Sequence, residues 1–432
     1  MRSLFFATLL VVLPAHAMPV EAQTTGSGET TATIDYDIQL DTIRSGYDGK
    51  TCWVHSRAGT IPGERPVVVL TMQALLLTGS DVFYALNEMR TDDLGATWSG
   101  PTEHASLGRR HEEDGLLSVI CDFTPMWHAK TGRLLGTGHV ARYKDNRLAG
   151  DYERQTAYSV YEPKTRTWAA WRTVKMPDED RFYSSGAGST QRVDLPNGDI
   201  LLPIYFTAKG EKCSASTVMR CRFDGETLSY IEHGSEMTIT VPRGLGEPSL
   251  AHFNGRFYLT LRNDKAGYVT SGTDGLHFDK PRKWTFDDGE ELGSYNTQQH
   301  WVTHSDGLLL VYTRRGAKND HVFRHRAPLF IAQVDPHRLC VLRNTERVLV
   351  PERGARLGNF GLTNVSDRET WVTVAEWMQT WGPNYVMPVN NEHGADNSVF
   401  VARIKWHRPN RLPGYFDCKG SETNLNQFAV QH

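Results

Sequence analysis

The sequence predicts an all-β fold, a β-propeller of six blades with a degenerate seventh as the alternative, and three observations predict it. One phrase recurs six times at a spacing of about sixty residues, which marks a radial repeat. Aromatic and β-branched residues accompany 38 glycines, the balance of strands joined by many turns. No stretch has the length, caps and 3.6-residue period of a packed helix.

Taken in order, the chain opens on Arg2, an apolar run from Leu4 to Leu13 and Ala15-His16-Ala17. This reads as a secretory signal over residues 1–17, with cleavage as late as residue 22 as the alternative. The run is too short to cross a bilayer, and no other stretch is long enough. Residues 18–34 are rich in Thr, Gly and Glu and read as a disordered leader. The propeller is expected over residues 35–410 and a C-terminal tail over 411–432. Tyr36 to Val54 precedes the first repeat without a blade of its own, so it is placed to close the ring against the last blade.

The repeated phrase is a polar turn, an apolar strand, a second strand and an Asp or Asn turn. Its apolar strands are Ala74–Leu77, Arg133–Leu135, Asp199–Leu202, Arg256–Leu259, Leu308–Val311 and Thr370–Thr373. From Leu76 through Leu134, Ile200, Phe257, Leu308 and Trp371 the steps are 58, 66, 57, 51 and 63 residues. Ser398–Arg403 has the short β-branched and aromatic run of one more strand.

Lys and Arg number 47 against 50 Asp and Glu, so the chain carries no electrostatic footprint for nucleic acid or an anionic membrane. The six cysteines, Cys52, Cys121, Cys213, Cys221, Cys340 and Cys418, lie in the part expected to be exported, where disulfides are permitted. Cys213 and Cys221 are the pair expected to face each other across a hairpin. No C-x-x-C accompanies them, and His111-Glu112-Glu113 is not H-E-x-x-H, so neither a metal nor a cofactor is implied. Asn364-Val365-Ser366 is a glycosylation sequon.

Thr91-Asp92-Asp93-Leu94-Gly95-Ala96-Thr97-Trp98 is the most informative phrase, and Ser271 to Phe278 is a looser copy. Gly allows a tight turn, Asp can bond the turn's own amides, and Trp packs the hairpin onto its neighbour. The phrase resembles the Asp-box of the sialidase (neuraminidase) superfamily, whose members are Asp-box or BNR-repeat β-propellers. The resemblance covers about Val54 to Trp406. It implies an exo-acting glycoside hydrolase on a terminal carboxylate-bearing sugar, working without a cofactor.

Residue by residue, Ser56-Arg57-Ala58-Gly59-Thr60-Ile61-Pro62 is similar to the family's first R-I-P phrase, with three residues inserted. Asp81, 24 residues later, matches the acid/base, and Glu247 precedes Arg262 by 15 residues as the family's Glu precedes its second Arg. Arg326 opens the third phrase, Arg326-Ala327-Pro328-Leu329-Phe330-Ile331. Arg57, Arg262 and Arg326 would then clamp a carboxylate by charge-assisted bonds while Asp81 protonates the leaving oxygen. The family's nucleophilic Tyr falls in Leu357-Gly358-Asn359-Phe360-Gly361-Leu362, where Phe360 has no hydroxyl. Tyr295 is the substitute for hydrolysis, and His111 or His300 a base for elimination beside a uronate carboxylate. Three readings therefore stand: a hydrolase, an exo-acting lyase or hydrolase on uronate-containing glycans such as rhamnose-glucuronate linkages, and a non-catalytic glycan-binding propeller. The expected partner is an acidic oligosaccharide or polysaccharide.

Overall fold

The computed structural model describes residues 33–79, 81–149, 153–379 and 391–412. The expected signal, nearly all of the leader, and the tail beyond residue 412 with Cys418 lie outside the described residues.

The described strands form an all-β propeller, and they fall into six sheets of four to seven strands. Sheet I runs outward from Thr51–Ile61 through Val67–Leu76 and Phe83–Thr91 to Ser99–Glu103. Sheet II is built on Leu117–His128, Arg133–Lys144 and Thr156–Glu162, and sheet III on Ser184–Gly186, Asp199–Thr207, Ala215–Phe223 and Leu228–His233. Sheet IV comprises Gly246–Phe253, Arg256–Arg262, Gly267–Gly272 and Arg282–Lys283; sheet V has His300–His304, Gly307–Tyr312, Leu329–Asp335 and Cys340–Val341. Sheet VI joins Phe360–Ser366, Glu369–Ala375 and Val399–Trp406 to the N-terminal strand Tyr36–Arg44. That last pairing is antiparallel, with Tyr36 opposite Trp406, so Tyr36–Arg44 ties the two ends by one ladder as the sequence suggested, whereas residues 51–54, expected with it, belong to the inner strand of sheet I.

Each of the six apolar phrases belongs to the second strand of a different sheet. A second strand is covered on both faces by neighbouring sheets, and the pleat then has no wet side. Ile200 to Phe206 is accordingly buried without a break. The core is divided in the same way. One apolar cluster joins Leu135 and Tyr158 of sheet II to Ile200 and Met219 of sheet III. Others join Leu201 to Leu259, Tyr258 to Trp301, and Leu309 to Val372. Two more join Val54 to Val119 and Leu70 to Trp371, so sheet VI packs back on sheet I. Each fully buried Leu or Phe in these seams contributes about 1.5–3 kcal/mol of transfer free energy.

The turn from Thr91 to Trp98 shows how local chemistry fixes a hairpin. Asp93 accepts the Thr97 amide (2.9 Å) and hydroxyl (2.6 Å), and the Gly95 amide donates to Thr91 Oγ1 (2.8 Å). These bonds hold the Asp93 carboxyl at about 2, below its ordinary value. Trp98 leans on Trp371 of sheet VI, ring centroids 6.0 Å apart. In the second copy, Asp274 accepts the amides of Leu276 and His277.

The expected disulfide does not form. Cys221 lies within the strand Ala215–Phe223 and Cys213 just before it, so they are on one strand rather than across a hairpin. Eight residues of extended chain separate them by roughly 25 Å, far beyond disulfide reach. The five described cysteines are free. Among the described residues, no helix is long and apolar enough to cross a membrane.

Candidate functional site

The innermost strands are not regular. Sheets I, II and IV carry bulges between Val54 and Arg57, Cys121 and Thr124, and Gly246 and Ser249. His55, Asp122 and Glu247 sit in them at φ of 55°, 51° and 43°, a region L-residues rarely adopt. Ser189 and Asn296, beside the inner strands of sheets III and V, are also at positive φ. A bulge re-aims a side chain that the pleat would otherwise send into a seam. Here polar groups from all six sheets are turned toward one another.

Arg57 is the hub. It is fully buried. Its Nη2 donates to Asp122 (3.3 Å), Ser189 Oγ (2.7 Å) and Gln298 Oε1 (3.1 Å), and its Nε to the Phe360 carbonyl (3.2 Å). It thereby touches sheets II, III, V and VI from sheet I. Ser189 passes the bond on to Asp122 (2.6 Å). Gly188 allows this approach: a Cβ there would stand 2.0 Å from His139 Nδ1. Burial alone would raise the Asp122 carboxyl, but His55 (3.1 Å), Arg57 and His139 beside it, with the Ser189 bond, hold it well below the carboxylate range. Arg57 adds a permanent positive charge beside Asp122, and the Ser189 hydroxyl donates to its carboxylate. Burial pushes His139 down to about 3, against the pull of Asp122, and lowers His55 as well. His139 continues the ring to Tyr205 of sheet III (3.4 Å).

A second group gathers more arginines. Arg262 donates to Glu247 and to Asn296 Oδ1 (2.7 Å). Arg326 donates to that same oxygen (3.2 Å), to the Asn296 carbonyl, and to Asn359 Oδ1 of sheet VI (3.1 Å). Gly358 makes room, since a Cβ there would lie 2.8 Å from Arg326 Cδ. Burial and then the charges of Arg262, Arg356 and Arg324 push Arg326 well below its ordinary value, while Glu247 works the other way. Arg324 is lowered by burial and by Arg262, with Asp264 and Asp81 opposing. Arg356 stacks on Trp377, 4.4 Å from the ring centroid. Three guanidiniums therefore act on Arg326, with the carboxylates of Glu247, Asp264 and Asp81 nearby, an arrangement suited to receiving an anion.

The structure brings Arg262, Arg326 and Glu247 together. Arg57 is instead engaged by Asp122, Ser189, Gln298 and the Phe360 carbonyl. Asp81 is exposed, at a turn of sheet I, and near enough to Arg324 and His55 to act on both. Tyr295 is half-buried and its hydroxyl meets His325 Nδ1 (2.5 Å), not Glu247; His325 Nε2 meets Asp320 (3.1 Å). Burial raises the phenol, and Arg315, Arg326 and Arg324 oppose that. His300 is a buried neutral imidazole: it bonds Ser249 (2.7 Å) and Gln298 (2.8 Å), and burial with Arg57 nearby lowers it to about 3. His111 is exposed in the short strand Arg110–His111 and joins neither group of contacts. Phe360 is in the seam between sheets V and VI, its ring edge-on to His300 at 5.0 Å. The neighbouring side chain, Asn359, is the one that faces Arg326.

Sequence reasoning missed Asp122, His325, Arg324, Arg356, Asn296 and Asn359. Asp122 had a signal, being the one charge in the apolar run Val119-Ile120-Cys121-Asp122-Phe123. Arg324-His325-Arg326 is a dense basic triplet whose first two members went unread. A groove of about 730 Å³ lined by Lys130, Arg133, Asp199, Arg222 and Asp224 shares no residue with this site.

Neither a protein-family model nor a curated protein matches the sequence. Solved structures do match in fold. The Hadza microbial sialidase Hz136 superposes with a TM-score of 0.60 at 15% identity, over 84% of this chain and 68% of that one. A protein of unknown function from Dyadobacter fermentans gives 0.54 at 12% identity, over 85% and 99%. Trypanosoma rangeli sialidase gives 0.53 at 15% identity over 81% of this chain, which spans 55% of that longer one.

Proposed function

We propose that this chain, a β-propeller of sialidase-like fold, is a secreted or periplasmic enzyme that releases a terminal carboxylate-bearing sugar from an acidic glycan by hydrolysis. The six sheets are read as six blades of one closed ring, and residues 1–17 as the export signal. One observation carries the reading: burial and the charges of Arg262, Arg356 and Arg324 push the Arg326 guanidinium well below its ordinary value, with Glu247 opposing. A sugar carboxylate beside Arg326 would offset that repulsion.

In this reading Arg262 and Arg326 grip the carboxylate, and Glu247 holds Arg262 in place. Tyr295 is the nucleophile. Its proton passes to His325 Nδ1 as the phenolate oxygen attacks the anomeric carbon, and Asp320 orients the imidazole and balances its charge. Asp81 protonates the departing glycosidic oxygen. Water then adds to the anomeric carbon, giving a proton to Asp81, while the tyrosyl bond breaks and the Tyr295 oxygen takes its proton back from His325. Arg57, neutralised by Asp122, keeps the inner strands in register rather than binding substrate.

The Tyr295–His325 contact also favours a second reading. A phenol backed by an imidazole can remove the proton beside a uronate carboxylate that arginines have neutralised, which is elimination. A screen of acidic glycans with product mass analysis separates them. Hydrolysis adds one water across the cleaved bond; elimination adds none and leaves an ultraviolet-absorbing unsaturated sugar. Binding of acidic glycans without turnover would replace both with a glycan-binding propeller.

A further inference from the structure

Three side chains that no step above uses meet where loops of sheets V and VI touch. His321 lies between the strands Gly307–Tyr312 and Leu329–Asp335, Glu352 just after Arg347–Val350, and His393 in the short 3-10 turn Asn391–His393. One ligand atom from each lies within 4.8 Å of the others. His321 Nε2 stands 3.0 Å from Glu352 Oε2. The rings of His321 and His393 stack with centroids 4.1 Å apart and 24° between their planes. A carboxylate with two imidazoles beside it is a donor set that can share a cation.

The placement does not depend on the three residues holding each other. The Gly354 amide donates to the Glu352 carboxylate (2.9 Å). The Ala395 amide donates to the Arg353 carbonyl (3.0 Å), and Arg353 pairs with Asp396 (3.1 Å), so the segments of Glu352 and His393 are already joined. Asn319 fixes the loop of His321 by donating to the carbonyls of Arg314 (2.9 Å) and Ala327 (2.6 Å).

The geometry points to a divalent transition-metal site formed by His321, Glu352 and His393, of the kind Zn²⁺ fills with three protein ligands and one open position. Imidazole donors favour Zn²⁺ over Mg²⁺ or Ca²⁺, which take oxygen. With metal–ligand bonds of about 2.0–2.2 Å, donors in the complex stand about 3–3.5 Å apart. The His321–Glu352 pair is already there; His393 lies within 4.8 Å and its ring would turn out of the stack to aim a nitrogen at the ion. A bound ion would staple the loop carrying Arg324, His325 and Arg326 to the segment carrying Arg356.

The test uses the full-length protein stripped with a chelator and titrated calorimetrically with Zn²⁺, then with Mg²⁺ and Ca²⁺. One equivalent of Zn²⁺ should bind, with no heat from the other two. His321→Ala and His393→Ala should each weaken binding at least about tenfold, since even loss of an outer partner costs that much. The unfolding temperature should rise with Zn²⁺ in the wild type and not in the double variant. Absence of stoichiometric binding, or binding that persists in the double variant, overturns the site. Should a variant fail to fold, the visible spectrum of the Co²⁺-loaded wild type decides: bands of a low-symmetry site support it, and the spectrum of hydrated Co²⁺ overturns it.

Discussion

Arg262 and Arg326 donate to the same side-chain oxygen, Asn296 Oδ1, at 2.7 and 3.2 Å. A neutral amide thus holds two buried like charges side by side. It orients them without cancelling either, which a carboxylate in its place would do. The pair belongs to sheets IV and V, and Arg326 reaches on to Asn359 of sheet VI.

Arg326→Ala removes one arm of that pair. Binding of an acidic sugar should weaken at least tenfold, because a charge-assisted bond contributes about 1.5–3 kcal/mol and each 1.4 kcal/mol is tenfold. Titration of wild type and variant with one acidic oligosaccharide measures it. Unchanged affinity would remove Arg326 from the clamp.

Tyr295→Phe keeps the ring and deletes the hydroxyl that meets His325. Turnover should fall by about 10²–10⁴-fold with affinity nearly intact. His325→Ala should lose turnover on the same scale, and the two losses should not add, because the groups act as a unit. Steady-state kinetics on the single and double variants decides this; multiplicative losses would separate the two residues.

Asp122→Ala leaves the Arg57 charge buried without its carboxylate. The fold should lose several kcal/mol, about 3 rather than 5, since the Asp122 side chain is 17% exposed. Urea unfolding reads the loss. A change below about 1 kcal/mol would mean that Ser189, Gln298 and the Phe360 carbonyl suffice for Arg57.

His139 and His300 are held to about 3 in the folded state, against an ordinary value near 6.5. A histidine depressed by folding stabilises the native state fully above its unfolded value. That contribution is lost as pH falls from about 6.5 toward 3, because the unfolded chain takes up the proton first. Each should contribute about 1.4 kcal/mol per pH unit to the slope across that window. Unfolding free energies measured from neutral to mildly acidic pH should therefore fall steeply, and His300→Gln should flatten the slope by one proton. A flat profile would place both imidazoles in water.

The second strands were legible because burial on both faces leaves an unbroken apolar run, as in Ile200 to Phe206. The inner strands were not, since their bulges interrupt the period that a reader counts. Arg262 and Glu247 were found because their 15-residue spacing matches that of the family the sequence resembles, and one hairpin brings them together. Asp122 lies in an apolar run and faces inward only because of its bulge. Arg356 and His325 come from loops whose position is decided by packing between sheets. Phe360 matched by phrase but not by parity, for the pleat sends its ring into the seam and leaves Asn359 facing Arg326.

The most direct measurement is calorimetric titration of the wild-type protein with an acidic oligosaccharide and with the same oligosaccharide after its terminal carboxyl has been reduced to an alcohol. If the arginines around Arg326 receive that carboxylate, the acidic form should bind at least tenfold more tightly, with the difference shrinking as salt rises. Equal affinity for the two forms would contradict carboxylate recognition by the arginine cluster.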